Sequence, residues 1–265
     1  MRTAAGLAYR EAGPSDGPVA LLVHGYPSSS WMWNDLLGRL ATAGWRGVAP
    51  DLAGYGDSAP DPPGTWVRHV ESLERFRAEL GLERIALIVH DWGGLIGLRW
   101  ACDHPGVARA LVIANTGFFA DGKWHGLARM LRTPGTGEEL VDGMTREAFG
   151  VGLREQSPAL DDRALDEYFK AFADEERRRG HLELYRSGEF SDLDAYRGCL
   201  AALGVPALVV WGPEDRYVPM SAAHRFAREL PGAELTILDG AGHFVFEDAP
   251  DAAGEAVLRF LARLD

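Results

Sequence analysis

Cysteine is nearly missing from this 265-residue chain: Cys102 and Cys199 are the only two. Two thiols cannot build a disulfide framework, nor a zinc site on their own. The expectation is a pair of free, mostly buried thiols in a reducing compartment. Basic residues are also short. Lys and Arg number 27 against 39 Asp and Glu, a net charge of −12, and no basic block occurs. That balance disfavours nucleic acid and anionic membrane surfaces as partners. No apolar run reaches the roughly 18 residues of a membrane span. The N-terminal MRTAAGLAYR has no apolar stretch behind Arg2, so no signal peptide is expected and the protein reads as cytoplasmic.

What is present is a globular composition. Hydrophobic residues make up 46%, with eight Trp and eleven Phe, enough for an aromatic-rich core in one large domain or a domain with an insertion. Val19–Val23 (VALLV), Gly47–Pro50 (GVAP), Ile85–Val89 (IALIV) and Ala110–Ala114 (ALVIA) are short, continuous apolar runs, as strands covered on both faces require. Leu7–Glu11 reads as an outer strand. Helical patterns at Trp31–Ala43, Trp66–Leu80 and Trp92–Asp103 lie between the runs, so the chain is α/β with a mostly parallel central sheet flanked by helices. The alternation resumes with strands at Ala207–Val210 and Glu234–Leu238 and helices near Ala222–Leu230 and Ala252–Leu264. Residues 116–200 differ. They show no buried strand, carry 12 basic and 17 acidic residues, and look helical at Glu138–Phe149, Asp162–Arg179 and His181–Gly188. The expected division is a core of 1–115 plus 201–265, with 116–200 a helical cap inserted after the strand at 110–114.

Four loops carry candidate chemistry. Val89-His90-Asp91-Trp92-Gly93-Gly94 follows a buried strand and opens a helix, the setting in which a strained turn lifts one side chain above a sheet. Asp91 holds the apex, where Ser or Cys is usual, although Asp is also an ordinary turn former. Val23-His24-Gly25-Tyr26-Pro27 follows another strand. Two backbone donors aimed at a developing oxyanion are needed for acyl chemistry, and the amides of Tyr26 and Trp92 are assigned to that role. Trp211-Gly212-Pro213-Glu214-Asp215 and Gly240-Ala241-Gly242-His243-Phe244 follow the last two strands, at the strand ends where open α/β sheets build their sites. The chain order Asp91, Asp215, His243 is nucleophile, acid, base.

These motifs resemble the α/β-hydrolase superfamily, in the epoxide hydrolase and haloalkane dehalogenase group that uses an Asp nucleophile. The resemblance implies an α/β-hydrolase fold and attack by Asp91 on an sp³ carbon. His243 would be the base that hydrolyses the resulting ester, with Asp215 orienting it. It implies no metal or organic cofactor, and a small hydrophobic epoxide or halogenated substrate plus water. The chain would act as a monomer or homodimer. Leaving-group and pocket roles fall to Tyr185, Trp92, Trp124, Tyr168 and His24. Gly180-His181-Leu182-Glu183-Leu184-Tyr185-Arg186 resembles the G-x-L-x-x-Y-R context of an epoxide-binding tyrosine, 30 residues before Asp215. The earlier tyrosine, expected near 136, is missing, and Tyr168 is its candidate substitute. On the dehalogenase side Trp92 fits a halide donor. The Asn of an H-G-N-P motif is replaced by Tyr26, and Trp124 lies early for a cap donor. Asn115 sits where some relatives carry the acid, which leaves Asp215 for that role. Tyr185 tips the expectation to an epoxide hydrolase, with haloalkane dehalogenase the alternative. A non-catalytic ligand receptor on the same fold is third.

Overall fold

The computed structural model describes residues 1–264. Eight strands form one sheet: β1 (Arg2–Ala4), β2 (Leu7–Ala12), β3 (Val19–Val23), β4 (Arg46–Pro50), β5 (Ile85–His90), β6 (Ala108–Ala114), β7 (Ala207–Trp211) and β8 (Glu234–Ile237). Their spatial order is β1-β2-β4-β3-β5-β6-β7-β8. β1 and β2 are antiparallel, as are β2 and β4; all pairs from β4 to β8 are parallel. The continuous apolar runs are the central strands, and all six residues of β5 are buried. β1 was not expected. Only one of its three residues is buried, so it carries no hydrophobic pattern to read.

Three helices precede β6: α1 (Asn34–Thr42), α2 (Trp66–Glu79) and α3 (Trp92–Asp103). The helix expected from Trp31 begins instead as a 3-10 turn at Ser30–Trp33. Between β6 and β7 lie α4 (Gly126–Arg132), α5 (Thr136–Asp142), α6 (Arg146–Arg154), α7 (Asp162–Phe169), α8 (Glu175–Arg186) and α9 (Cys199–Ala202). After β7 come α10 (Met220–Glu229), α11 (Val245–Asp248) and α12 (Pro250–Leu261). The pattern read as one helix over 138–149 is two, because Thr145 restarts the chain by accepting the Ala148 N–H at 3.2 Å. Asp174 does the same for α8, accepting the Arg177 N–H at 2.8 Å. The expected 162–179 helix therefore breaks, and 181–188 is mostly the end of α8. The short α4 was not foreseen.

Helices between β6 and β7 pack against the segments that follow β3 and β4. Arg10 from β2 and Arg163 from α7 lie 4.8 and 4.4 Å from the Trp31 ring, on which both guanidiniums stack. The Trp66 backbone N–H donates to Ser187 Oγ at 2.8 Å. A single cluster of buried apolar residues runs from the sheet through these helices. Cys102 and Cys199 are free but half-buried rather than buried. They touch across α3 and α9, and burial together with the Cys199 contact pushes the Cys102 thiol up. Among the described residues no helix is long and apolar enough to cross a membrane.

Candidate active site

The ends of β3, β5, β6 and β7 and the loop after β8 converge on Asp91. Its backbone has φ +50°, a conformation L-residues avoid, and this holds the side chain above the turn between β5 and α3. The turn depends on close approaches. A Cβ on Gly25 would fall 2.3 Å from Asp91 Oδ1, and one on Gly93 would fall 2.1 Å from the Val23 carbonyl oxygen. Thr116 Oγ1 donates to the Asp91 carbonyl at 2.6 Å and anchors the turn to the end of β6.

The two carboxylate oxygens of Asp91 differ. Oδ1 accepts the Tyr26 N–H at 2.6 Å, and the Trp92 N–H bonds the same carboxylate. Oδ2 lies 3.6 Å from His243 Nε2, beyond direct hydrogen-bond reach. Burial pushes the Asp91 carboxyl up; His243 and the two backbone N–H groups oppose it.

His243 is almost wholly buried and donates Nδ1–H to Asp215 Oδ2 at 2.9 Å. Burial works against its proton, but Asp215 and then Asp91 outweigh that and raise its pKa. Asp215 is held from all sides. Oδ1 accepts the N–H groups of Tyr217 at 2.7 Å and Val218 at 3.0 Å, while Oδ2 also accepts Asn115 Nδ2 at 2.8 Å. Burial alone would raise its pKa; the charge and hydrogen bond of His243, then Asn115 and Val218, lower it. Asn115 exchanges two further hydrogen bonds with Gly212, so the end of β6 braces the acid's loop. Sequence alone marked Asn115 only as a vacant acid position.

Two cavities meet at Asp91. One, of about 270 Å³, opens on the Tyr26 and His243 side; the other, of about 520 Å³, opens on the Trp92 and Thr116 side. Asp91, His125 and Tyr217 border both. Tyr185 lines the first and Trp124 the second. The Trp92 side chain hydrogen-bonds the Tyr185 hydroxyl, and the two rings meet edge to face at 5.2 Å. Trp124 stacks on Trp92 at 5.8 Å, with its indole N–H turned away to Glu189 at 3.1 Å.

Two expected pocket residues are placed elsewhere. His24 is fully buried behind the Tyr26 turn; it donates Nδ1–H to the Gly25 carbonyl and accepts the Leu52 N–H at 2.9 Å. Tyr168 is fully buried and its hydroxyl bonds Glu247, so it lines neither cavity. Tyr217 and His125 were missed, although an aromatic two residues past a candidate acid at a strand end was a readable signal for the first. Among the described residues no group of three or more His, Cys, Asp or Glu is placed to hold a metal ion.

Residues 18–250 match the family model for the alpha/beta hydrolase fold. The chain is 30% identical to a haloalkane dehalogenase of Bradyrhizobium diazoefficiens, over 98% of this chain and 92% of that protein. It is 29% identical to a cis-3-alkyl-4-alkyloxetan-2-one decarboxylase of Xanthomonas campestris pv. campestris, over 99% and 94%. Its structure superposes on that of haloalkane dehalogenase DbeA from Bradyrhizobium elkani with a TM-score of 0.84, 29% identity, and coverage of 99% and 97%. The chain belongs to the α/β-hydrolase superfamily, in the group that includes the haloalkane dehalogenases.

Proposed function

We propose that this hydrolase attacks an sp³ carbon through an ester on Asp91, with haloalkanes as its substrate class and the helices between β6 and β7 as a cap over the site. The observation that carries this reading is the asymmetry of the Asp91 carboxylate, Oδ1 held by the Tyr26 N–H and Oδ2 open toward His243. Oδ2 displaces the halide, forming the alkyl ester. A water hydrogen-bonded to His243 Nε2, which lies 3.6 Å from Oδ2, gives it a proton and adds to the ester carbonyl carbon. Negative charge builds on Oδ1, which already accepts the Tyr26 N–H, with the Trp92 amide on the same carboxylate as the second donor. Asp215 stabilises the imidazolium. Collapse expels the alkoxide, which takes the proton back from His243 and leaves as the alcohol.

Haloalkanes are preferred because relatives at 29–30% identity over nearly the whole chain carry that activity in their names. A leaving halide would be solvated by the Trp92 indole N–H once it turns from the Tyr185 oxygen, with the Tyr185 hydroxyl beside it. Tyr26 stands where an Asn donor would be, and Trp124 is committed to Glu189. Epoxide hydrolysis is the second reading, and Tyr185 favours it: its oxygen is bonded by Trp92, which leaves the phenolic proton for an opening epoxide oxygen.

Bromide release from 1-bromobutane and diol formation from styrene oxide test both readings in parallel. The expected result is bromide release by the wild type and none by Asp91→Asn. Tyr185→Phe should slow any epoxide opening by about 10²-fold or more, the scale of general-acid catalysis, and halide release far less. Diol without bromide replaces the haloalkane reading with the epoxide one. Turnover of either substrate by Asp91→Asn removes the ester mechanism.

A further inference from the structure

The site has more room than a single small chain uses, and the room is divided. The 270 Å³ cavity is walled by Leu140, Val141, Met144 and Phe149 from α5, α6 and the turn between them. The 520 Å³ cavity is lined by Leu95, Phe119, Phe190 and Val218 among others. At about 30 Å³ per water-sized group, each holds a chain of several carbons. The rim of the larger cavity is charged, but Arg225 there is satisfied by Asp121 at 2.5 Å and Glu229 at 2.7 Å. Lys123 and Arg228 also line this cavity, and it is the apolar walls of Leu95, Phe119, Phe190 and Val218 that offer a place for an apolar group. The divider between the cavities is the His125–Tyr217 pair, ring centroids 4.8 Å apart. Burial and the nearby His243 lower the His125 pKa to about 4, so the divider carries no charge at neutral pH. Asp91 stands at the junction, with Tyr26 on one side and Trp92 on the other.

We infer that the preferred electrophile is internal: its reactive carbon sits over Asp91 with one apolar substituent in each cavity, straddling the His125–Tyr217 pair. This rests on the Asp91 ester reading and specifies the substrate's shape. A terminal halide or epoxide fills one arm and leaves the other wet. In a fitted apolar pocket each methylene is worth roughly 10–200-fold in kcat/KM, so an unfilled arm is a large handicap.

The test compares isomers: 1-bromooctane with 4-bromooctane, and 1,2-epoxyoctane with cis-4,5-epoxyoctane. For the leaving group that reacts, the internal isomer should have a KM at least tenfold lower and the higher kcat/KM. Ala222→Trp narrows the larger cavity and Met144→Trp the smaller. Each, with a melting curve to show that it folds, should cut the internal-to-terminal ratio of kcat/KM at least tenfold. A wild type that favours terminal isomers overturns the inference while leaving the ester chemistry standing. So does Ala222→Trp slowing both isomers equally, which would make the larger cavity an entry channel only. If neither isomer reacts and His243→Gln gains no mass with either, the Asp91 reading falls and this inference with it.

Discussion

Asp215 and His243 form a pair whose pKa values move apart, the acid's down and the base's up. His243 accepts a proton during ester hydrolysis, so it must start neutral. Burial disfavours its charged form, yet Asp215 and Asp91 win and raise its pKa above the ordinary value of about 6.5. On the alkyl ester Asp91 carries no charge, so Asp215 is what holds the acid limb of the pH–rate profile up, with activity rising as pH increases through it. Asp215→Asn removes the largest raising influence. It should slow turnover by about 10²–10⁴-fold and move the acid limb to lower pH, measured on pre-formed ester in single turnovers. A limb that stays put would mean that Asp215 does not set the His243 proton affinity. At this scale the sequence was legible where chain order and strand ends speak together, as for Asp91, Asp215 and His243. It was opaque where side-chain direction decides. His24 and Tyr168 have the right chemistry but point at Leu52 and Glu247, and no spacing rule reveals that.

Among the elements, α11 has a role out of proportion to its four residues. Asp248 at its end accepts the Gly242 N–H at 2.8 Å and the Ser157 hydroxyl, so it ties the loop that presents His243 to the chain just beyond α6. Gly242 packs against the same segment, where a Cβ would lie 2.2 Å from the Gln156 carbonyl oxygen. Asp248→Ala should cost about 1–3 kcal/mol for each donor left bare, read by urea unfolding. It should also lower kcat more than it changes KM, because the next residue after Gly242 is His243. Ser157→Ala removes one contact and should be milder on both counts. Equal stability loss with unchanged kcat would leave Asp248 a purely structural brace. Strands were the most readable elements because burial on both faces writes an unbroken apolar run, as in β5. The helices after β6 were read less well because Thr145 and Asp174 restart the chain within patterns that continue across them, and because α4 is only seven residues long.

For the molecule as a whole, the buried cluster that runs from the sheet into the inserted helices predicts joint unfolding. Far-ultraviolet circular dichroism and tryptophan fluorescence should give one coincident thermal transition. Two separated transitions would show the inserted helices melting alone. The α/β architecture was legible from alternation and composition, because both depend on summed burial rather than on any single contact. The sheet order carries a further consequence for biosynthesis. β6 finds its outer neighbour only in β7, 93 residues later in the chain, and Asp91 waits 152 residues for His243. At about 5–20 residues per second, the nucleophile emerges roughly 8–30 seconds before its base. During much of that interval the apolar run Ala110–Ala114 is an uncovered strand edge, the kind of surface that pairs with other chains. The helices after β6 are the first material synthesised that can shelter it, so they stand guard over the unfinished sheet before the site exists.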